Sequence, residues 1–311
     1  MAALSFQTVA FAQLAPDFGS PGKHKGRISF KLAGDAFHES DESYVSEQNE
    51  VFFYLPLYQN ENSTYAATAK SYNLSFNNLV SSSDFVPVND LHSVQYGFAW
   101  AKEDADKNTW GLSGNYGSAS DKPFESADVS AFDLTLTRKI SKTPTSSWIY
   151  FLNYSNNRSF LNNIPLPGFA YTFIEEDKTS GGVIGLPFVT YWLRPSEKLS
   201  MSVFYLIPAR LNLQAGYMIS RPFQLNAKLE HGQQTFFRAG RVDKKEQIYY
   251  ETSKAALSVK TFLGKDTFFD LEYARIFNRS LYDGTSVFDE TSERLRMPNE
   301  WQVTLSGQVA F

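Results

Sequence analysis

The last eleven residues of the chain, Trp301-Gln-Val-Thr-Leu-Ser-Gly-Gln-Val-Ala-Phe311, decide the class of fold. Their large apolar residues fall at alternate positions, namely Trp301, Val303, Leu305, Val309 and Phe311. The residues between them are polar or small. A period of two with one apolar and one polar face is typical of a β-strand that lies between two different environments. Aromatic residues near both ends fit a membrane-spanning barrel, whose aromatic girdles lie at the two membrane interfaces.

The same alternation occurs along most of the chain, for example in 94–100, 211–219 and 269–273. The alternating segments are about 10–13 residues long, whereas ordinary strands have 5–6 and a bilayer requires 9–11 tilted residues. Short turns are predicted at 104–107, 194–197, 220–222 and 264–266, and long polar loops at about 39–48, 78–91, 117–128, 156–168, 232–247 and 278–298. Turns at one end and long loops at the other are the pattern of outer-membrane barrels.

The composition excludes several other classes of protein. Among 311 residues there are 27 Phe and 17 Tyr, no Cys, and a net charge of -4. Because no run of 18 apolar residues occurs, no transmembrane helix is predicted. The near-balanced charge argues against nucleic acid as a partner. The absence of Cys excludes disulfides and thiolate catalysis, and it suits a protein that crosses an oxidising periplasm unfolded.

These patterns predict an all-β fold, a single antiparallel up-and-down transmembrane β-barrel over residues 26–311. We expect about 14 strands, with 12 or 16 as alternatives. The uncertain region is 164–210, where five prolines interrupt the alternation: Pro165, Pro167, Pro187, Pro195 and Pro208. Proline removes a donor from the strand ladder and prefers bulges or strand ends. A soluble β-sandwich remains the alternative fold.

The beginning of the chain is interpreted as a targeting segment. Residues 1–12 are apolar and end in Ala10-Phe11-Ala12, a small-x-small cleavage pattern, so they are expected to be the remnant of a signal peptide whose true start lies upstream. Residues 13–25 are expected to form a periplasmic lead-in to the barrel.

Three segments carry a family resemblance: Ile164-Pro-Leu-Pro-Gly-Phe-Ala-Tyr171, Gly185-Leu-Pro-Phe188 and Tyr191-Trp-Leu-Arg-Pro195. Together they resemble an uncharacterised family of Gram-negative outer-membrane β-barrel proteins of unknown function. The resemblance implies a bacterial outer-membrane location and a barrel fold, and it brings no catalytic residues. The end of the chain also resembles the C-terminal signature of outer-membrane barrels. That resemblance implies that Trp301, Val309 and Phe311 form an assembly signal read by the barrel-insertion machinery.

The second face of the predicted strands indicates what the barrel lumen contains. The candidate lumen-lining residues are Arg27, Lys31, Phe52, Tyr54, Asp133, Phe151, Phe188, Lys228, Asp270 and Glu272. A wide aqueous pore is lined mainly by polar groups, so this mixture of aromatic and charged residues predicts a narrow channel or transporter for small solutes. Two alternatives stay open: a non-conducting structural or accessory subunit of an envelope complex, and a lipid- or peptide-directed barrel hydrolase.

No catalytic, cofactor or metal site is predicted. His92 and Ser93 are neighbours on one strand and so point to opposite faces, although His92 and His231 remain the residues to test for hydrolysis. The acidic stretch 39–50 lacks the spacing of a calcium loop. Arg238, Arg241, Lys244 and Lys245 cluster in one predicted loop and would suit lipopolysaccharide phosphates. The expected partners are therefore outer-membrane lipid including lipopolysaccharide, the insertion machinery and an envelope protein.

Overall fold

The computed structural model describes residues 25–37, 46–76, 79, 85–264 and 266–311. Its strands are β1 (Arg27–Phe37), β2 (Ser46–Gln59), β3 (Ser63–Phe76), β4 (Asp90–Glu103), β5 (Thr109–Ser120), β6 (Ser130–Thr143), β7 (Ser146–Ser155), β8 (Leu166–Ile174), β9 (Ser180–Leu186), β10 (Phe188–Leu193), β11 (Leu199–Leu206), β12 (Arg210–Ser220), β13 (Phe223–Phe236), β14 (Gln247–Phe262), β15 (Phe268–Ser286), β16 (Asp289–Glu290), β17 (Leu295–Met297) and β18 (Glu300–Ala310). A 3-10 turn at Ala127–Val129 precedes β6. The expected signal-peptide remnant (1–12) and the lead-in as far as residue 24 lie outside the described residues.

The strands form one closed antiparallel barrel. Each strand from β1 to β15 pairs with the next along the chain, and β18 pairs with both β15 and β1. Arg27 of β1 lies opposite Ala310 of β18, so the first strand is joined to the last. The short strands β16 and β17 pair with β15 in the connection that leads to β18. Over the described residues the barrel wall therefore has 16 strands, and closure removes the unpaired edges that a sandwich would leave.

The expectation of 14 strands is wrong, and the alternative of 16 is correct. The difference lies in the proline-rich region, which contains the four strands β8–β11, with 9, 7, 6 and 8 residues. Pro187 alone connects β9 to β10, and Pro208 lies in the three-residue connection 207–209 between β11 and β12. The prolines thus end short strands, where no ladder donor is needed, and do not interrupt long ones.

The side chains alternate between the outside and the inside of the barrel, as the sequence predicts. On β18, Val303 and Leu305 are 41% and 42% exposed, whereas Gln302 and Thr304 are 3% and 2% exposed. Large apolar residues are exposed on the outer face of every barrel strand from β1 to β15 and of β18, among them Leu32, Tyr96, Leu136, Leu225 and Leu271. The outside of the barrel is therefore apolar and the inside is polar or aromatic, the reverse of a water-soluble barrel.

The two ends of the barrel differ in their connections. At one end the strands are joined by turns of two to five residues, 60–62, 104–108, 144–145, 175–179, 194–198, 221–222 and 263–267. At the other end lie the longer connections 121–129, 156–165, 237–246 and 287–299. Several predicted loops are partly strand, because β13 continues to Phe236 and β15 to Ser286.

A closed barrel with an apolar exterior, short turns at one end and longer loops at the other is a transmembrane β-barrel of the bacterial outer-membrane type. We call the turn end periplasmic and the loop end extracellular, as in that class. No described helix is long and apolar enough to cross a membrane.

Candidate functional site: the barrel lumen

The lumen contains a cavity of ≈ 310 Å³. Six cationic residues line it, Arg27, Lys31, Lys70, Arg158, Arg210 and Lys254. Three acidic residues line it, Glu50, Asp133 and Glu230. Six positive and three negative charges give this lining a formal charge of +3 with His231 neutral, although the whole chain carries -4. The lining therefore has an excess of positive charge.

Beside the cavity, three adjacent strands carry a network of buried ion pairs, of which Glu230 and Lys254 also line the cavity. Lys228 of β13 donates to Asp270 and Glu272 of β15 at 2.6 and 2.8 Å. Lys254 of β14 contacts Glu272 at 2.5 Å and Glu230 at 3.0 Å. Because every second residue of these strands faces the lumen, the five side chains meet on one inner surface. Each lysine contacts two carboxylates and they share Glu272, so two lysines face three carboxylates and the network has a formal charge of -1.

An aromatic pair holds Arg27 at the periplasmic side of the cavity. Its guanidinium lies 5.5 Å from the ring centroids of both Phe52 and Tyr54, which are neighbours on the inner face of β2. The arrangement attracts the cation through the faces of both rings. The two aromatic residues therefore orient a cavity-lining cation.

The opposite inner surface is apolar. The apolar wall comprises Ile149, Phe151, Ala170, Val183, Phe188, Phe204 and Leu206, from strands β7 to β11. The rings of Phe151 and Phe188 lie 6.0 Å apart, and both side chains are buried. The lumen is therefore two-sided, with charged groups on β1–β3 and β13–β15 facing apolar groups on β7–β11.

An apolar lid fills the extracellular end of the lumen. Its buried members are Tyr72, Leu74, Phe76, Phe85, Val88, Leu91, Ala119, Val129, Ala131, Phe236, Phe237, Ile248, Tyr250, Leu281 and Met297. The ring of Phe76 packs against that of Tyr250 at 5.6 Å, and Tyr72 against Phe236 at 6.0 Å. These contacts join β3 to β13 and β14 across the barrel. The lid therefore closes the cavity towards the extracellular side.

Hydrogen bonds between loops hold the lid in place. The connection 237–246 crosses to the end of β5, where the Phe237 amide donates to the Ala119 carbonyl at 2.7 Å. The Ala239 amide donates to Asp121 at 2.7 Å. Lys244 pairs with Asp128, and this ammonium holds the pKa of the Asp128 carboxyl below its ordinary value.

The predicted basic cluster is largely engaged within these loops. Arg238 forms an ion pair with Asp283 at 2.9 Å. Arg241 is buried, and its guanidinium donates to the Asp128 carbonyl at 2.6 Å. Lys245 is exposed. Three of the four cations therefore form ion pairs or hydrogen bonds within the lid region.

The structure divides the predicted lumen residues among these surfaces. Arg27, Lys31, Phe52 and Asp133 line the cavity. Tyr54 lies beside Arg27, Phe151 and Phe188 belong to the apolar wall, and Lys228, Asp270 and Glu272 form the ion-pair network.

Sequence reasoning missed other residues of the site. Lys254 was detectable, because Ala255 and Leu257 alternate with it as lipid-facing residues. Arg210 was detectable in the same way, because it directly precedes the alternating segment 211–219 and continues its polar, inward-facing positions. The lid was not detectable, since it depends on contacts between strands far apart in the chain.

The predicted assembly residues lie at the seam between the last strand and its neighbours. The Phe311 amide donates to the Gly26 carbonyl at 2.9 Å, and its exposed ring stacks on Phe53 with centroids 6.4 Å apart. Trp301 stacks on Tyr273 at 4.9 Å, and Val309 is exposed on the outer face. Their reading by the insertion machinery stays a prediction.

One arrangement bears on the hydrolase hypothesis. His231 Nδ1 lies 3.0 Å from the Ser253 hydroxyl, and His231 Nε2 lies 3.9 Å from Glu251. Glu251 is in turn paired with Arg294 at 2.9 Å. A serine triad requires a hydrogen bond between the histidine and the acid that orients it, and 3.9 Å exceeds that distance.

The other predicted reactive residues are not brought together. Ser93 lines the cavity, and His92 lies on the other face of β4. In the part of the chain that the structure describes, no group of three or more His, Asp or Glu could hold a metal ion. Residues 39–45 of the acidic stretch lie outside that part.

Comparisons with known proteins give fold-level likenesses. No protein-family model matches the chain, and no curated protein matches it. Among solved structures it is similar to an outer membrane channel from Pseudomonas putida F1, with 8% identity, 94% of this chain and 100% of that chain covered, and a TM-score of 0.36. It is also similar to a Pseudomonas aeruginosa FadL homologue (10% identity, 92% and 90% covered, TM-score 0.39) and to the Vibrio cholerae outer membrane protein OmpT in trimer form (8% identity, 92% and 98% covered, TM-score 0.33).

Proposed function

We propose that this barrel is a narrow outer-membrane channel or transporter for small anionic solutes. The observation that carries the proposal is the +3 formal charge of the cavity lining in a chain whose total charge is -4. Concentrating cations where low-dielectric walls focus the field raises the local concentration of anions. The apolar wall opposite adds a surface for a solute that also carries an apolar part.

The cavity supports a narrow, selective path. Its volume of ≈ 310 Å³ is at the lower end of small-molecule binding sites. The apolar lid closes the cavity towards the extracellular side, and the ion-pair network occupies its wall at β13–β15. A solute would therefore pass by displacing side chains or by opening the lid, with low conductance as the result.

Planar bilayers test the proposal directly. Purified protein in a potassium chloride gradient should give small currents whose reversal potential indicates chloride preference. Lys70→Gln with Arg210→Gln removes two of the six lining cations and should shift the reversal potential towards zero. Lys178→Gln, in the exposed turn 175–179, is the matched control and should leave it unchanged. Cation preference, or no current at all, would overturn the proposal.

A second candidate is a non-conducting structural or accessory barrel in an envelope complex. The lid favours this alternative. An extracellular mouth that is filled with buried aromatic side chains suits a non-conducting anchor as well as it suits a gated channel. Under this alternative the bilayers stay silent and an envelope protein co-purifies in fixed stoichiometry. Currents without such a partner would exclude it.

We also propose that the protein is not an enzyme. The separation of His231 from Glu251 and the pairing of Glu251 with Arg294 support this. Ester or peptide hydrolysis that is lost in His231→Ala and retained in His92→Ala would contradict it. Contacts with outer-membrane lipid, lipopolysaccharide and the insertion machinery are likewise proposals, based on the apolar exterior and the terminal Phe311.

A further inference from the structure

The barrel wall is low over β9, β10 and β11, which have 7, 6 and 8 residues. At about 3.3 Å per residue and a tilt near 45°, a six-residue strand covers about 14 Å along the membrane normal. The apolar band of an outer-membrane barrel is about 25 Å tall. Across the lumen, β2 has 14 residues. The wall at β9–β11 is therefore shorter than the hydrocarbon layer.

The two connections at the top of this low wall suit hydrocarbon better than water. They are Pro187 and the segment Ile207–Ala209, and neither contains a charged residue. The flanking Leu186 is 58% exposed and Ile207 is 44% exposed. The two prolines have no N–H, and the Ile207 amide donates to the Pro187 carbonyl at 3.0 Å. Of the four residues in these tips, two thus have no amide donor and a third has its donor paired, which suits a lipid environment.

The lumen cavity reaches the gap above the low wall. The cavity is lined by Leu206 at the end of β11 and by Ala209 in the β11–β12 connection. It is also lined by Arg210 of β12 and by Gly232, which lies opposite Arg210 on β13. Gly232 leaves open space, because no atom lies within 4 Å of the place where a Cβ would be. A cationic side chain, an apolar tip and an unfilled volume therefore meet at one point.

The connection 156–165 forms the upper border of the gap. The Asn157 side-chain amide donates to the Thr235 carbonyl of β13 at 3.2 Å and accepts from Gln247 at 2.8 Å. These bonds hold the connection against β13 and β14 above the tips of β9–β12. The gap is thus framed, with hydrocarbon-suited tips below and a hydrogen-bonded rim above.

We propose that a single-chain anionic amphiphile from the outer leaflet enters the cavity sideways through this gap. Its acyl chain would lie against Leu206 of the apolar wall and Ala209, which both line the cavity, and its acidic head group would meet Arg210 and the other lining cations. The proposal rests on the proposed function, since it names the class of anion and the route by which that anion arrives.

Site-specific labelling tests whether the tips of the low wall lie in hydrocarbon. Because the sequence has no Cys, a thiol-specific label reacts with a single introduced Cys. The Ile207→Cys variant is labelled with bimane and inserted into phosphatidylcholine vesicles. Some of the lipids in these vesicles carry a nitroxide on the acyl chain, which quenches bimane fluorescence. We expect strong quenching at this position. Val242→Cys, in the extracellular connection 237–246 and 97% exposed, is the matched control and should not be quenched. Equal quenching of the two labels would overturn the proposal.

The route is tested by calorimetric titration of dodecanoate into the full chain in non-ionic detergent. Saturable binding is expected, and Gly232→Trp, which fills the gap, should weaken it by about tenfold or more, as should Arg210→Gln. Gly232→Ser is the control for a change of residue without bulk, and it should leave dodecanoate binding unchanged. Gly34→Trp is the control for bulk, since Gly34 also has open space and lies beside Val303 on the outer face. Dodecyltrimethylammonium, with the opposite charge, should not bind.

The outcomes separate this inference from the proposed function. Dodecanoate binding that is indifferent to Gly232→Trp would overturn sideways access, even if the bilayers show chloride currents. Silent bilayers with dodecanoate binding that Gly232→Trp abolishes would reject the channel and keep the amphiphile site. Binding of the cationic amphiphile with equal affinity would overturn the assignment of an anion.

Discussion

Leu271→Arg tests whether the apolar outer face lies in a bilayer. Along β18, Trp301 and Phe311 mark the two ends of the apolar stripe, and Leu305 lies near its middle. Leu271 lies directly opposite Leu305 on β15 and is 57% exposed. An arginine near the bilayer midplane of a barrel costs about 2–4 kcal/mol, and the cost falls to about 0–1 kcal/mol near an interface. We therefore expect Leu271→Arg to lower the free energy of unfolding by about 2–4 kcal/mol.

The measurement is reversible denaturant unfolding in lipid vesicles, followed by tryptophan fluorescence. Leu263→Arg is the matched control, because Leu263 is 65% exposed but lies in the periplasmic turn 263–267. It should cost about 0–1 kcal/mol. If the two substitutions cost the same, the assignment of the outer face to hydrocarbon is refuted.

Three further predictions concern the seam, a buried ion pair and the lid. Deletion of Phe311 should lower the amount of barrel in the outer membrane more than it changes unfolding in vesicles, and normal membrane levels would count against an assembly role. Glu300→Gln should lower the free energy of unfolding by about 3–5 kcal/mol in the same titration, because Arg279 is buried beside Glu300 and would lose that carboxylate. The double variant Arg279→Met with Glu300→Leu removes both charges and should recover most of the loss. The Lys244 ammonium lowers the pKa of Asp128 below 3.8. The stabilisation that this ion pair gives the folded lid is therefore complete above pH 3.8, and it is lost as the pH falls through the lower pKa of the folded state. Protease resistance of the connection 237–246 should therefore be constant from pH 7 to about pH 4.5 and decline only in stronger acid, and an earlier decline that Lys244→Ala abolishes would contradict the assignment.

The sequence was sufficient for the faces of the barrel and insufficient for the number of strands. Val303 and Leu305 face outward and Gln302 and Thr304 inward because lipid on one side and a polar lumen on the other impose a period of two. The strand count failed at 164–210, where strand ends are usually recognised by polar turn residues. The connections at Pro187 and 207–209 are apolar, so they continue the pattern of a strand.

The candidate site was predictable only where local alternation assigns a residue to the inner face. Alternation places Arg27 and Lys31 on the inner face from local sequence alone, and the structure has both on the cavity. The charge balance of the lining also depends on Arg158, which lies in the connection 156–165, where strand alternation assigns no face. The separation of a charged surface from an apolar one depends on which strands face each other across the lumen, and no local pattern contains that information.

The lid has a consequence for the order in which this polypeptide matures. Asp121 contacts the Ala239 amide across 118 positions, and Lys244 reaches Asp128 across 116. Contacts between positions so far apart form late, because the intervening segment must first be ordered. The mouth therefore seals only when the segments around β5 and β13 belong to one wall, whichever end of the chain is inserted first. A nascent barrel would leak until then.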